Sequence, residues 1–181
     1  MFKIEYIKVK DKTEDSNSSA RKFLKKKGKF RKLDSGAFSS VYGNNTSKRV
    51  YKLGSDDTGY LSYLKILSRR RKHNPFTPKI YSVVVFVDDD EEECFVVEME
   101  KLTPLARRQR RKLVSWFELL FGKGDWFDVM ETLNIKFPPL LKQAVKLVKI
   151  AANVRGSVYD IHDGNFMLRG KKQLVLTDPL A

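Results

Sequence analysis

Short runs of β-branched and aromatic residues, separated by polar turns, dominate the first hundred residues of the chain. The N-terminal run MFKIEYIKV alternates apolar and polar positions, which is typical of a partly exposed strand. The segment KFRKLDSGAFSSVYG predicts two strands around a glycine turn, and KRVYKLG predicts a third. IYSVVVFV and CFVVEMEKL predict a buried hairpin with the acidic turn DDDEEE between its strands. We interpret that acidic run as a solvated turn that discourages edge aggregation rather than as a docking site.

Apolar residues recur at helical spacing in segments of both halves of the chain. A short basic helix is predicted from about Ser18 to Lys27, ending at Gly28, and the segment TGYLSYLKILSRRRK predicts a helix whose basic end is Arg69 to Lys72. In the second half, LARRQRRKLVSWFELLF, DWFDVMETL and PPLLKQAVKLVKIAANVRG predict helices. Two short strands, NFMLR and QLVLTD, follow around the turn GKK. This order of elements predicts an α+β fold.

Composition narrows the class of protein. The 181 residues fit one domain or one two-lobed domain, and the single cysteine, Cys94, excludes an intramolecular disulfide and favours a reducing compartment. No apolar run is long enough to cross a bilayer and the N-terminus lacks a signal-peptide pattern, so we expect a soluble cytoplasmic protein without a membrane partner.

A net charge of +14 is the most unusual feature of the composition. Much of it lies in SSARKFLKKKGKFRK and ARRQRRK, with a smaller run at SRRRKH. Such an excess favours acidic partners, namely nucleotide phosphates, nucleic acid or acidic protein surfaces. The alternative for each run is a solvated face that keeps the protein soluble.

The chain carries, in order, a candidate for each part that phosphoryl transfer requires. That chemistry needs a glycine that lets backbone approach phosphates, a lysine that meets them, a carboxylate that orients the acceptor hydroxyl, and carboxylate and amide ligands for magnesium. The candidates are Gly36, Lys52, Asp160, Asn165 and Asp178. The glycine and the lysine are weak signals alone, whereas the loop D-I-H-D-G-N followed by TDP is the strongest.

These residues support a resemblance. D-I-H-D-G-N and TDP resemble the protein-kinase-like superfamily. Together with LDSGAFSSVY, RVYKLG, a tyrosine-rich helix, FVVEMEKL and FMLR…LTDP, they resemble the early serine/threonine protein kinases of autographiviruses, the short-tailed phages that encode their own RNA polymerase. The resemblance covers about residues 33–102 and 140–180.

The resemblance implies a two-lobed, protein-kinase-like α+β fold. Its N-lobe would be a five-stranded antiparallel sheet with one helix, and its C-lobe would be short, truncated and helical. The implied domains are a basic N-terminal extension of the N-lobe over 1–32, the N-lobe over 33–102 and an abbreviated C-lobe over 103–181. That C-lobe would carry the catalytic loop and the metal-binding aspartate.

The resemblance also implies roles for single residues, with ATP and Mg²⁺ as cofactors. Asp160 and Lys52 would be the catalytic residues: Asp160 would orient the acceptor hydroxyl and Lys52 would contact the α- and β-phosphates. Asn165 and Asp178 would hold magnesium. The implied cofactor-binding residues are Gly36 over the phosphates, Lys52, Met99 at the back of the adenine pocket, and the connector formed by Glu100 to Leu102.

Departures from the kinase pattern keep a second hypothesis open. Asp34 and Ser39 stand where the usual loop has glycines, and the helix after Lys52 contains no glutamate to pair with it. Only three residues follow Asp178 in this sequence, so we expect no conventional activation segment.

Three functions are compatible with these features. The favoured one is a phage serine/threonine kinase in the host bacterial cytoplasm that phosphorylates host proteins, and itself, and so modifies host functions such as transcription. The alternative is a catalytically weak kinase-like protein that binds a host protein or nucleic acid through its basic surface. A small-molecule phosphotransferase is least favoured, because its acceptor lobe is normally acidic whereas this one is short and basic.

Overall fold

The protein is a mixed α+β structure built around a six-stranded sheet. The computed structural model describes residues 1–11, 14–36, 39–55, 59–109, 111, 150, 165–170 and 173–177. The helices predicted over 105–121, 125–133 and 138–156 lie wholly or mostly outside these residues.

The large sheet has the strand order β1-β5-β6-β4-β3-β2. Its strands are β1 (Ile4–Lys8), β2 (Arg31–Ser35), β3 (Ser39–Gly43), β4 (Arg49–Ser55), β5 (Ile80–Val87) and β6 (Glu93–Glu100).

The predicted five-stranded antiparallel sheet is wrong in one respect. The pairs β2–β3, β3–β4, β4–β6 and β5–β6 are antiparallel, but β1 adds a sixth strand that runs parallel to β5. Alternation in MFKIEYIKV predicts the strand but carries no information about its partner. A parallel neighbour needs a long crossover, and here most of the N-terminal half of the chain separates the two strands.

One face of the large sheet is covered by the first helix, α1 (Ser16–Lys27). Ala20 and Leu24 of α1 are buried against alternate residues of the central strands, including Phe86 and Val96. Phe23 meets Phe86 edge-on, with ring centroids 5.6 Å apart. The basic residues of α1 therefore face solvent while its apolar stripe packs on the sheet.

The start of α1 is fixed by two carboxylates. Asp15 is the N-cap and accepts a hydrogen bond from the amide of Ser18 at 2.6 Å, and Asp88 in the acidic turn accepts from the amide of Ser16 at 3.1 Å. The hydrogen bond from Ser18 lowers the pKa of Asp15. The acidic turn was predicted to be solvated, but one of its residues, Asp88, contacts the start of α1.

The opposite face packs against the second helix, α2 (Tyr60–Ser68), whose first five residues are all buried. The sequence had predicted that Arg69 to Lys72 form the last turn of this helix. Instead the helix ends at Ser68, and these residues follow it. The side chains Arg70, Arg71 and Lys72 are exposed. No helix within the described ranges is long and apolar enough to span a membrane.

A second, smaller antiparallel sheet packs against the α2 face. It consists of β7 (Thr103–Pro104), β8 (Phe166–Arg169) and β9 (Gln173–Leu176), in the order β7-β8-β9. Phe166, Leu168 and Leu176 join the same buried cluster as α2 and the large sheet. The β8–β9 hairpin was predicted from NFMLR and QLVLTD, whereas the two-residue β7 was not.

Candidate functional site

A cleft of about 370 Å³ lies between the two sheets, and we call it the nucleotide cleft because residues that were predicted to bind a nucleotide line it. The large sheet supplies one wall, and residues around β7 and the β8–β9 hairpin supply the other. Six of the predicted site residues line it: Gly36, Lys52, Met99, Glu100, Leu102 and Asn165. The remaining two, Asp160 and Asp178, lie outside the described residues.

Lys52 is a buried cation in the middle of the sheet. It pairs with Val41 on β3 and with Val97 on β6, and only 5% of its surface is exposed. Its Nζ lies 3.8 Å from the ring centroid of Tyr60, the first residue of α2. Strands on both sides therefore hold the backbone of Lys52, and a cation–π contact with Tyr60 stabilises the ammonium group from the helix.

Tyr60 is a site residue that was not predicted from the sequence. The pattern TGYLSYL predicts it as an apolar position of the helix, and it is indeed 1% exposed. The helix that lacks a glutamate presents an aromatic ring to the lysine instead. The quadrupole of an aromatic ring attracts a cation, so Tyr60 takes a position from which it can orient Lys52.

Asn165 stands at the start of β8 and is largely buried. Its backbone carbonyl accepts hydrogen bonds from the amide of Thr177 at 2.8 Å and from the Thr177 hydroxyl at 2.9 Å. The two ends of the hairpin are thereby fastened together beside the cleft. Thr177, which directly precedes Asp178 in the sequence, also lines the cleft and was not predicted.

The connector between β6 and β7 passes along the edge of the cleft. Met99 is 6% exposed and pairs with Val50 and Ile80 in the sheet. Lys101 donates its amide to the carbonyl of Lys48 at 2.9 Å, which anchors the connector to the large sheet. Within the described part of the chain, neither the amide nor the carbonyl of Leu102 takes part in a hydrogen bond. A ligand in the cleft can therefore bind the connector backbone at Leu102.

Glu100 was predicted to be part of the nucleotide-binding connector. In the structure its side chain forms an ion pair with Arg169. Both carboxylate oxygens accept hydrogen bonds from Arg169 on β8, and Oε1 also accepts from the amide of Lys79 at 2.8 Å. Arg169 in turn donates to the carbonyls of Pro75 and Thr77, at 2.8 and 2.9 Å. This Glu100–Arg169 pair ties the small sheet to the large one.

The charge state of Glu100 is determined by these contacts. Burial alone raises the pKa of a carboxyl group, but the hydrogen bonds from Arg169 and from the Lys79 amide outweigh it, and the pKa of Glu100 is lowered. Glu100 is therefore ionised at neutral pH and cannot donate a hydrogen bond to a base. Its backbone amide already donates to the carbonyl of Lys79 at 3.0 Å.

The loop between β2 and β3 forms the cover of the cleft. The amide of Gly36 bonds to the carbonyl of Ser39 at 2.9 Å, which closes the turn. A β-carbon built on Gly36 meets no atom within 4 Å, so open space lies where a side chain would project. Asp34 also lines the cleft, and its Oδ1 accepts from the amide of Ser35 at 2.8 Å. Its carboxylate adds negative charge to the cover.

Apolar side chains complete the lining between the cover and the connector. Leu33, Val41, Val50 and Met167 face the cleft, from both walls. Val50 and Lys52 are two residues apart on β4, so they project from the same face of the strand. The alternation in RVYKLG therefore contains the signal for Val50, whereas Leu33 sits at a register shift that the sequence does not reveal.

The cleft has an apolar slot beside a buried cation and a free backbone, which fits the base, the phosphates and the hydrogen-bonding edge of a purine nucleotide. Among the described residues there is no group of three or more histidine, cysteine, aspartate or glutamate side chains that could hold a metal ion. Asn165 is the described member of the predicted magnesium pair.

The chain has a partial likeness to solved protein structures. No family model and no curated protein matches the chain. Among solved structures, the chain is similar to the crystal structure of the BubR1 kinase domain, with 21% sequence identity and a TM-score of 0.39. The match covers 83% of this chain and 45% of the BubR1 chain, so the protein spans less than half the length of that structure. The chemistry of the cleft has to be read from its own side chains.

Proposed function

We propose that this protein is an ATP- and Mg²⁺-dependent serine/threonine protein kinase. The observation that carries the proposal is the convergence of Gly36, Lys52, the connector and Asn165 on one cleft, although they span 130 residues of sequence. Phosphoryl transfer depends mainly on positioning and on neutralising charge, so few side chains are needed beyond these and the predicted Asp160 and Asp178.

Each residue has a defined task under this proposal. The adenine base occupies the apolar slot and hydrogen-bonds to the backbone at Leu102, while Lys52 neutralises charge on the α- and β-phosphates. Asp160 orients the acceptor hydroxyl. Asn165 and Asp178 would hold magnesium through their side-chain oxygens, and the bound ion would supply positive charge that offsets the charge of the phosphates.

The biological setting is suggested by the resemblance to early kinases of autographiviruses. We propose that the acceptors are host proteins, together with the kinase itself, and that their phosphorylation modifies host functions such as transcription in the bacterial cytoplasm.

The experiment that tests the proposal is incubation of the purified protein with γ-labelled ATP, Mg²⁺ and bacterial lysate. We expect labelled serine or threonine in the wild type and none in Asp160→Asn or Asp178→Asn, because each variant loses a carboxylate that the reaction needs. Omission of Mg²⁺ serves as a second control. Equal labelling by the two variants would refute the proposed activity.

A second candidate function is binding through the basic surface without efficient catalysis. The exposed lysines at the end of α1, Lys25 and Lys26 among them, favour it, as does the carboxylate of Asp34 at the phosphate cover. Binding of nucleic acid by such a surface weakens steeply as salt rises. A gel-shift assay at low ionic strength measures it, and absence of a shift there excludes the nucleic-acid form of this candidate.

A further inference from the structure

A second cleft, of about 440 Å³, lies on the far side of the Glu100–Arg169 pair from the nucleotide cleft. It is bordered by the segment after α2, by the start of β5 and by the N-terminal residues Met1 and Phe2. We call it the basic cleft, because four of its side chains are cationic: Arg70, Arg71, Lys72 and Lys79.

No carboxylate of the described residues lies within salt-bridge distance of the cations of the basic cleft, although Lys79 acts on Glu100 through its charge. All four cationic residues are exposed. The described lining contains no aspartate or glutamate. The floor is apolar and includes Leu67 and Ile80. A concave surface with unpaired cations around an apolar floor is complementary to a ligand that is both anionic and partly apolar.

The back wall of the basic cleft is rigid. His73 Nε2 donates to the carbonyl of Thr77 at 3.0 Å, and the same carbonyl accepts from Arg169. The backbone of Lys79 pairs with Glu100 in both directions, through its amide and its carbonyl. Lys79 therefore projects from backbone that is fastened to the core, and His73, the residue after Lys72, is held on the same wall, which lowers the entropic cost of ordering a ligand there.

We propose that the basic cleft is a docking site for an acidic peptide segment of a partner protein. A peptide supplies several carboxylates at the spacing of side chains, together with one apolar side chain for the floor. Nucleic acid supplies phosphates but has no long aliphatic side chain to reach a floor that includes Leu67 and Ile80, so the observations favour protein. The inference deepens the proposed kinase function, since such a segment would bring substrate proteins to the enzyme, but the binding itself does not depend on catalysis.

The test uses a fluorescein-labelled peptide rich in glutamate with one central leucine, titrated with the full-length protein and followed by fluorescence anisotropy. The decisive variant is Arg70→Glu/Arg71→Glu/Lys72→Glu. Its matched control is Lys25→Glu/Lys26→Glu/Lys29→Glu on and after α1, which changes the net charge by the same amount at exposed positions. Thermal unfolding establishes that both variants fold, and Lys72→Glu alone replaces the triple variant if it does not.

We expect salt-sensitive binding by the wild type, a loss of at least about tenfold in affinity for the cleft variant, and a loss of less than about threefold for the control variant. Equal losses in both variants would show that net charge alone attracts the peptide, and would overturn the site. Absence of binding by the wild type would overturn it as well. If a single-stranded oligonucleotide binds more tightly and depends on the same three residues, the ligand is nucleic acid and the proposal is wrong.

Failure of this inference and failure of the kinase proposal are distinguishable. Peptide binding is measured without ATP, so it is independent of Asp160 and Asp178. In the lysate labelling assay, the cleft variant should retain autophosphorylation while labelling of acidic host proteins falls. Loss of autophosphorylation in the cleft variant would mean that these residues serve the catalytic site rather than docking.

Discussion

The nucleotide cleft and the basic cleft hold their cations in opposite ways. Lys52 is 5% exposed and projects from a central strand between two neighbours, against the ring of Tyr60. Arg70, Arg71 and Lys72 are exposed and follow the end of a helix. A buried charge acts at a fixed position in a medium of low dielectric, whereas exposed charges act through a summed field that salt screens over about 8 Å at physiological ionic strength.

Because of this difference, the two clefts suit different functions. A fixed buried cation suits a reaction in which charge must be stabilised at one atom. A set of exposed cations suits capture of a partner whose exact geometry is variable. The Glu100–Arg169 pair lies between them and supports a wall of each, since its partners include the connector on one side and Thr77 on the other.

The largest effect is expected from removing the buried cation. In Lys52→Met the phosphorylation rate should fall by at least about a hundredfold, because a preorganised charge at the phosphates is lost. The methionine fills a similar volume, so the midpoint of thermal unfolding should be retained. Binding of the acidic peptide should also be unchanged.

The matched control for Lys52→Met is Lys48→Met, which removes an exposed lysine just before the same strand. It should leave the phosphorylation rate within about twofold of the wild type. A rate in Lys52→Met close to that of the control would mean that the buried lysine has no part in phosphoryl transfer.

The next effect is on stability, through the pair that separates the clefts. Arg169→Leu leaves the carboxylate of Glu100 largely buried without its main partner, and we expect the free energy of unfolding to fall by about 3 kcal/mol. The double variant Glu100→Leu/Arg169→Leu should recover part of that loss, because no uncompensated charge remains. Urea unfolding of both variants and of Glu100→Leu provides a double-mutant cycle.

One result of the double-mutant cycle would contradict a stabilising Glu100–Arg169 pair. A loss below about 1 kcal/mol in Arg169→Leu, the size typical of an exposed pair, would mean that Glu100 is solvated and that the wall between the clefts is not fastened by this contact.

Much of the large sheet could be predicted from sequence, because its information is local. The β-branched and apolar composition of IYSVVVFV and CFVVEMEKL identifies both strands, and the acidic turn between them indicates their antiparallel pairing. The partner of β1 could not be predicted, since a parallel crossover leaves no local signal. The end of α2 at Ser68 was missed because basic residues after a helix resemble those within its last turn.

In the candidate site, too, some residues could be predicted from the sequence and others could not. Residue type and order identified Lys52 and Asn165, because their chemistry is uncommon at such positions. Tyr60 and Arg169 were missed, since each contributes through a contact between elements distant in sequence, Lys52 with Tyr60 and Glu100 with Arg169. A tyrosine in an apolar helix stripe and an arginine at a strand end are common features of unrelated proteins. The roles of Asp160 and Asp178 remain predictions.

A smaller effect should appear in the pH dependence of stability. The pKa of Glu100 is lowered in the folded protein, so the unfolded chain binds its proton more readily. The stabilisation is complete above the unfolded pKa, near 4.5, and is lost as the pH falls through the folded value. In Arg169→Leu the free energy of unfolding should depend less on pH over this acidic range, or should change in the opposite direction. Urea unfolding at a series of pH values measures it, and identical slopes in the two proteins would contradict the ion pair as its cause.

The smallest effect on stability is expected at Gly36 in the cover of the nucleotide cleft, and Gly170 in the turn after β8 provides a matched comparison. A β-carbon meets no atom within 4 Å at either Gly36 or Gly170, but only Gly170 has a positive φ, of 64°. Gly170→Ala should therefore cost about 1 kcal/mol of unfolding free energy, whereas Gly36→Ala should change it by less than about 0.5 kcal/mol. If phosphates approach the backbone at Gly36, the added methyl group should still raise the KM for ATP, without weakening the binding of the acidic peptide at the basic cleft. An unchanged KM would mean that this turn does not cover the phosphates, while a loss of stability as large as that of Gly170→Ala would mean that the turn is strained.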